Sequence, residues 1–292
     1  MTVLLCKLAL APAFVVLVSI AVRRLGPRIG GIFGGLPVVA GPILFVYALD
    51  HGTAFAADAA ANSLKALIAL SGFVLAAAFV SGRVGDGSRL DGSLKARSAA
   101  RVAWHSVVFG WLVFSALAAL VALVELPPIV SLAACAVAFV VALRLLPQPD
   151  PAAPVEAPGR PPHDLLLRGS AAAAMVLVLT SLAGTLGPTA SGVLAPFPII
   201  TSVLAGFAIA HEPRATTLRL MRGMLRGFFS FATFLFVVTI AVEPLGTAAA
   251  FLSGIAATAV IQIGLVSWAA RAARPATSPM PLPAVAVDRS TG

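Results

Sequence analysis

Charged side chains are scarce in this chain of 292 residues, where they make up 11% of the sequence. An average soluble domain carries about 25% charged residues, so this composition excludes an ordinary soluble protein. Hydrophobic residues reach 60%, and the mean hydropathy is +1.02. Because a helix satisfies its own backbone hydrogen bonds in lipid, the composition predicts an all-α, polytopic bundle of transmembrane helices.

Cysteine and histidine are also rare. The two cysteines, Cys6 and Cys135, stand alone in apolar runs, which excludes a disulfide framework and a cysteine zinc site. His211-Glu212 lacks the second histidine of a metalloprotease helix, and no nucleophile-elbow or phosphate-loop motif occurs. We therefore expect no metal, no other cofactor and no enzyme activity.

Acidic residues number 11 against 20 lysines and arginines, a net charge of +9. The basic residues lie at the ends of apolar runs, a distribution that predicts membrane orientation and does not predict nucleic-acid binding. With the N-terminus outside, 18 of the 20 fall on the cytoplasmic side, and only Lys7 and Lys65 do not. We expect a multi-pass protein of the bacterial inner membrane, with the lipid bilayer as its partner and a cytoplasmic C-terminus.

Apolar runs long enough to cross a bilayer, about 20 residues each, define the predicted spans. They number about nine and lie near 3–22, 32–49, 64–81, 102–124, 128–146, 165–185, 189–210, 220–242 and 246–269.

A glycine-proline segment occurs twice. Leu25-Gly26-Pro27, with Gly31 and Pro37, returns 161 positions later as Leu186-Gly187-Pro188, with Gly192 and Pro198. Paired Gly/Pro-interrupted apolar segments in two halves are the best sequence indication of a transporter's central site. The pattern predicts a duplicated membrane unit.

The two copies are predicted to be inverted. The first turn carries three arginines and falls inside, whereas its uncharged counterpart falls outside. Four spans per copy around one connecting span produce this inversion. A competing alignment pairs Glu125-Leu126-Pro127 with Glu243-Pro244-Leu245 and would give a parallel orientation instead.

Proline divides the chain into domains. We predict a first repeat with its connector at 1–146, a proline-rich cytoplasmic linker at 147–163, a second repeat at 164–270 and a disordered tail at 271–292.

The second half, from Leu165 to about Trp268, resembles the GlpM-like bacterial inner-membrane proteins. These small four-helix proteins carry a Gly-x-x-Pro-(Leu/Phe)-Phe-Pro-type segment. The corresponding residues here are Gly192-Val193-Leu194-Ala195-Pro196-Phe197-Pro198, with one extra residue before Pro196, and the first half has only Gly34-Gly35-Leu36-Pro37. The resemblance implies a four-helix membrane architecture and fixes no activity.

Prolines inside spans are the first candidate binding feature. Pro37, Pro42, Pro196 and Pro198 are expected to free backbone carbonyls where water cannot satisfy them. One interpretation is a broken helix that lines a cavity, with Gly35 at the break. The other is a kinked helix whose neighbours satisfy those groups.

Polar side chains near these breaks complete the candidate site. Thr201 and Ser202 follow Pro198 within one turn, and Gln262 lies mid-span between apolar neighbours. Each of these polar groups either contacts a substrate or forms an interhelical hydrogen bond.

An adjacent acid and imidazole end the predicted helix of each repeat, as Asp50-His51 and His211-Glu212. Histidine titrates near neutral pH, so the pairs predict either a proton-linked gate or interfacial polar residues that close a helix.

Glycines four apart, at Gly30/Gly34, Gly31/Gly35 and Gly223/Gly227, predict close helix packing or a moving seam. The leading function is a secondary transporter or exporter of a small molecule by alternating access, with protons as the coupling partner. The alternative is a non-transporting scaffold for envelope polysaccharide or lipid metabolism, which would act through its arginine-rich cytoplasmic loops.

Overall fold

The computed structural model describes residues 2–37, 40–83, 92–150, 153, 165–175 and 198–271. Within these ranges every regular element is a helix, which confirms the all-α prediction. In chain order the helices are α1 (Thr2–Leu25), α2 (Pro27–Gly34), α3 (Ala40–His51), α4 (Thr53–Arg83), α5 (Gly92–Ala122), α6 (Pro128–Leu145), α7 (Leu165–Met175), α8 (Ile199–His211) and α9 (Arg214–Arg271).

Four helical segments of the described chain can cross a membrane by length and composition. They are Thr53–Gly82, Arg97–Ala122, Pro128–Leu145 and Arg214–Arg271, while α7 and α8 are shorter apolar helices. These apolar helices indicate a membrane protein, as the composition predicts.

Helix boundaries differ from the predicted spans in two ways. The first glycine-proline segment turns at Gly26 alone, at φ 86° and ψ 163°, and α2 begins at Pro27, whose fixed φ suits a first helical position. Helices α4 and α5 begin at Thr53 and Gly92, about ten residues before the predicted spans, because a hydropathy pattern marks only the apolar part of a helix.

Helix α9 reverses direction at Gly246, where φ is 78° and ψ is 167°. We call residues 214–245 its first limb and residues 247–271 its second limb. Ser230 of the first limb is hydrogen-bonded to Gln262 of the second over 2.9 Å. A straight helix would separate these residues by about 48 Å, so the limbs are antiparallel.

Arginines mark one end of the molecule, which we call the basic end. The Arg222 side chain donates to the Leu146 carbonyl over 2.9 Å, and Gly223 lies against the Arg28 carbonyl. The turn after His51 and the connection between α5 and α6 lie at the opposite end, where Lys65 Nζ donates to the Val124 carbonyl over 3.2 Å.

Helix α2 packs on the first limb of α9 through glycine. A Cβ atom added to Gly35 would lie 2.6 Å from the Gly227 carbonyl carbon, and one added to Gly31 would overlap the Leu220 carbonyl. The predicted close approach at Gly31/Gly35 and Gly223/Gly227 is confirmed. We call this contact the glycine seam.

Candidate functional site

The helix is interrupted between α2 and α3, where the prolines predict an interruption. Gly35 caps α2, and the amide of Gly41 donates to the Pro37 carbonyl over 2.8 Å. Pro42 lies in the first turn of α3, where a missing amide proton costs little. Pro37 therefore precedes a new helix, and its own carbonyl is satisfied.

Helix α8 begins in the same way after Pro198, whose carbonyl accepts from the Ser202 amide over 2.8 Å. Pro196 lies outside the described residues. Helix α8 contacts α2 where Leu204 lies against Gly34, since a Cβ on Gly34 would be 3.1 Å from the leucine Cδ1.

An apolar cleft of about 960 Å³ opens beside the first break, between α3 and the second limb of α9. Pro37 and Gln262 both line it, so the structure brings together two of the predicted site residues. The complete lining is Leu36, Pro37, Gly41, Pro42, Phe45, Val46, Phe234, Ala248, Phe251, Leu252, Ile255, Thr258, Ala259 and Gln262. Gly35 lies one residue before this lining, in the glycine seam.

The amide of Gln262 is the principal polar group of the cleft. Its side chain is 7% exposed, its Oε1 is bonded to Ser230 Oγ over 2.9 Å, and its Nε2 has no hydrogen-bond partner among the described residues. Thr258, one turn earlier, donates from Oγ1 to the Ser230 carbonyl over 3.4 Å. A buried polar atom without a partner costs about 1–3 kcal/mol, so a ligand that bonds to it gains correspondingly.

The orientation of this amide follows from the Ser230 proton. Ser230 Oγ is 2.7 Å from the Gly227 carbonyl, an acceptor, and one hydroxyl has only one proton to donate. If that proton serves Gly227, Gln262 must turn its Nε2 toward Ser230 and leave Oε1 without a partner. In both orientations one amide atom of Gln262 lacks a hydrogen-bond partner among the described residues.

Thr201 and Ser202 lie elsewhere. Both are buried on α8, and neither lines the cleft. Trp111 Nε1 of α5 donates to Ser202 Oγ over 2.8 Å, so the structure gives this hydroxyl an interhelical partner.

The two acid-imidazole pairs lie at opposite ends of the molecule. His51 is exposed at the end of α3, with its ring 4.9 Å from that of Phe55. His211 ends α8 at the basic end, where its ring stacks 5.7 Å from Phe207. The structure therefore does not bring Asp50-His51 and His211-Glu212 together into one site.

The sequence did not identify Phe234 and Phe251, which form the aromatic floor of the cleft. It also did not identify Ser230, which is hydrogen-bonded to Gln262. Phe234 and Phe251 read as ordinary apolar residues. Thr258 and Gln262, four positions apart, form a polar stripe on an otherwise apolar helix face, and this spacing could have identified the pair.

Comparisons with protein-family models, curated proteins and solved structures find no match for this chain. The resemblance to the GlpM-like proteins therefore stays a prediction.

Proposed function

We propose that this protein is a secondary transporter that moves a small molecule across the bacterial inner membrane by alternating access. The observation that carries the proposal is the cleft at the α2–α3 break, with the buried amide of Gln262 in its wall. Transporter sites are typically formed at interrupted helices. The proposal assigns no catalytic residue.

Paired contacts support the inverted duplication. The ring of Phe73 lies against Gly110 on the next helix, and the ring of Phe234 lies in the same way against Gly254. Phe234 follows Phe73 by 161 positions, the offset of the two glycine-proline segments, and Gly254 follows Gly110 by 144. α4 runs toward the basic end and the first limb of α9 runs away from it, as inverted copies require.

A second contact obeys both offsets. The rings of Phe45 and Phe251 meet edge to face at 5.2 Å, and their counterparts are Gly206 and Val107. A Cβ on Gly206 would lie 3.3 Å from Val107 Cγ2, so the counterparts are also neighbours. The second pair satisfies an offset that the first pair defines, which favours a structural repeat over a chance likeness of composition.

Two corresponding contacts between the copies differ, one open and one closed, as alternating access requires. By the same offsets, Ser202 corresponds to Gly41 and Trp111 to Ile255. Gly41 and Ile255 line the open cleft, whereas Trp111 bonds to Ser202 and joins α5 to α8. We infer that this conformation is one end state, in which the contact between α3 and the second limb of α9 is open and its counterpart between α5 and α8 is closed.

In this proposal Gly35 and Pro37 interrupt the helix, and Gln262 contacts the substrate. Asp50-His51 and His211-Glu212 gate the two ends and couple transport to protons, which fits their placement at opposite ends of the molecule. Thr201 and Ser202 lie on α8, which is closed against α5 in this conformation, and would contact substrate in the opposite end state.

A deletion strain tests the proposal. We expect one small molecule to accumulate inside cells that lack the protein and to return to its normal level with the wild-type gene. Ile255→Trp, which places an indole where the other half carries Trp111, should fail to restore it. Ile263→Trp is the matched control, because Ile263 is 67% exposed on the same limb and does not line the cleft. Equal rescue by both variants would contradict transport through this cleft.

The scaffold is the second candidate, because the basic end concentrates positive charge that anionic headgroups attract. Several arginines of the basic end, however, already contact backbone carbonyls or aromatic rings of this protein. Arg219 donates to the Asp150 and Ala153 carbonyls at 2.9 and 2.7 Å, and the Arg226 guanidinium lies 4.8 Å from the Trp268 ring centre. Altered polymer or lipid in the deletion strain, with no accumulating small molecule, would favour this candidate.

A further inference from the structure

We infer that the cleft between α3 and the second limb of α9 binds a neutral, largely apolar molecule that carries one hydrogen-bonding group, and that this group bonds to Gln262. The inference rests on the proposed function and names the chemical class of its substrate. A long-chain alcohol has this chemistry.

The size of the cleft fits a whole molecule. Its volume of about 960 Å³ lies near the top of the range of roughly 300–1,000 Å³ for small-molecule sites. Phe234 and Phe251, 2% and 6% exposed, form a packed floor that provides apolar contact without rearrangement.

The lining excludes a charged ligand. None of the described residues that line the cleft is ionisable, and burying an unpaired charge is unfavourable. A carboxylate, phosphate or ammonium group would lose its water without gaining a counter-ion. The substrate is therefore neutral where it contacts the cleft.

The lining also favours a ligand with a hydrogen-bonding group over a wholly apolar one. An alkane would leave the free amide atom of Gln262 unpaired, whereas a hydroxyl can donate to Oε1 or accept from Nε2. Hydroxyl binding is thus independent of the orientation of the amide.

Access to the cleft is from the side of the bundle. Phe45, Leu252 and Ile255 form an apolar rim and are 38%, 68% and 57% exposed. In a helical membrane protein such a rim meets lipid chains, so a membrane-dissolved amphiphile enters without crossing water.

Photolabelling of the full-length protein in phosphatidylcholine vesicles tests the inference. The probes are a long-chain alcohol, the fatty acid of equal length at pH 8 and the matching alkane, each with a diazirine in its chain. We expect the alcohol to label residues 248–262 saturably, and excess unlabelled alcohol to compete. The fatty acid and the alkane should give only labelling that does not saturate.

Two variants and one control make the result specific. Gln262→Leu keeps the volume and should weaken alcohol binding about three- to tenfold, the effect of one hydrogen bond, with alkane labelling unchanged. Ile255→Trp should abolish saturable labelling, and it changes an exposed rim residue, so it should fold normally. Ile263→Trp should label like the wild type.

Saturable labelling by the fatty acid or alkane at the level of the alcohol would overturn the inference, as would undiminished alcohol binding in Gln262→Leu. If either of these results is obtained while Ile255→Trp still fails to rescue the deletion strain, the transport proposal stands and the substrate class is wrong. If Ile255→Trp rescues that strain, transport through the cleft fails whatever the labelling shows.

Discussion

Ser202 and Gln262 are both buried polar side chains, but their surroundings differ. Ser202 accepts a hydrogen bond from Trp111, whereas Gln262 retains an amide atom that has no hydrogen-bond partner among the described residues. Burial alone therefore does not separate a structural polar group from one that is available to a ligand. The hydrogen-bond partners of each polar atom distinguish the two cases.

Ser202→Ala should lower stability and leave alcohol binding at the cleft unchanged. Removing the acceptor of the Trp111 indole costs about 0.5–1.5 kcal/mol, the net value of a typical hydrogen bond. Thermal unfolding in detergent measures the first effect and photolabelling the second. Ser170→Ala is the control, because Ser170 is exposed and its hydroxyl donates to the Leu167 carbonyl within α7. A tenfold loss of labelling in Ser202→Ala would place Ser202 in the binding site.

Gly227→Ala should destabilise the glycine seam by about 1–3 kcal/mol, the typical cost of overpacking. A Cβ at this position would overlap the Ile32 carbonyl and lie 3.0 Å from the Gly35 Cα. Gly264→Ala is the matched control, since nothing lies within 4 Å of its added Cβ. Equal unfolding temperatures for both variants would show that the seam does not require glycine.

The packing of a single residue could be predicted from the sequence where it depends on residues a few positions away. The glycines of the seam follow from their intervals of four, and the depth of Gln262 follows from its apolar neighbours. Ser230 could not be paired with Gln262, because the two are 32 positions apart and meet only after the reversal at Gly246.

At the scale of helices, two glycines turn the chain sharply. Gly26 and Gly246 have nearly the same backbone conformation, with φ of 86° and 78° and ψ of 163° and 167°. This region of conformational space is almost exclusive to glycine. Each glycine separates helices that pack against each other.

Gly246→Ala should therefore cost about 1–3 kcal/mol through backbone strain alone. No atom of the described residues lies within 4 Å of an added Cβ, so the expected cost comes from the backbone conformation. Thermal unfolding against Gly264→Ala, whose helical backbone accepts alanine, measures the difference. An unchanged midpoint would mean that the two limbs of α9 meet by another geometry.

Arg219 ties the start of α9 to the segment that follows α6. Its guanidinium is 8% exposed and donates to two backbone carbonyls. Arg219→Gln should lose about 1.5–3 kcal/mol, the range for hydrogen bonds that involve a charged group. Arg271→Gln, at the exposed end of α9, should change nothing, and equal unfolding of the two variants would contradict a structural role for Arg219.

Helices were predictable where hydropathy and proline act together. The span at 128–146 matches α6, and the break near Pro37 is present. The early starts of α4 and α5 were not predictable from apolar runs, because helical hydrogen bonding extends into polar residues beyond the lipid.

For the whole molecule, the central claim is that two inverted copies alternate between open and closed. The contact pairs Phe73/Gly110 and Phe234/Gly254 support it, and the open cleft between α3 and the second limb of α9 corresponds to a closed contact between α5 and α8. The sequence predicts the duplication but not which of these two contacts is open, because that depends on long-range packing of α5 on α8.

The most direct test is the sidedness of single cysteines in a background without Cys6 and Cys135. The reporters are Arg24→Cys at the basic end, Leu123→Cys at the opposite end, where Leu123 is 82% exposed, and Thr189→Cys in the second glycine-proline segment. A membrane-impermeant thiol reagent should label Arg24→Cys from one face, and Leu123→Cys and Thr189→Cys from the other. Labelling of Thr189→Cys from the same face as Arg24→Cys would mean a parallel duplication and would contradict alternating access by inverted repeats.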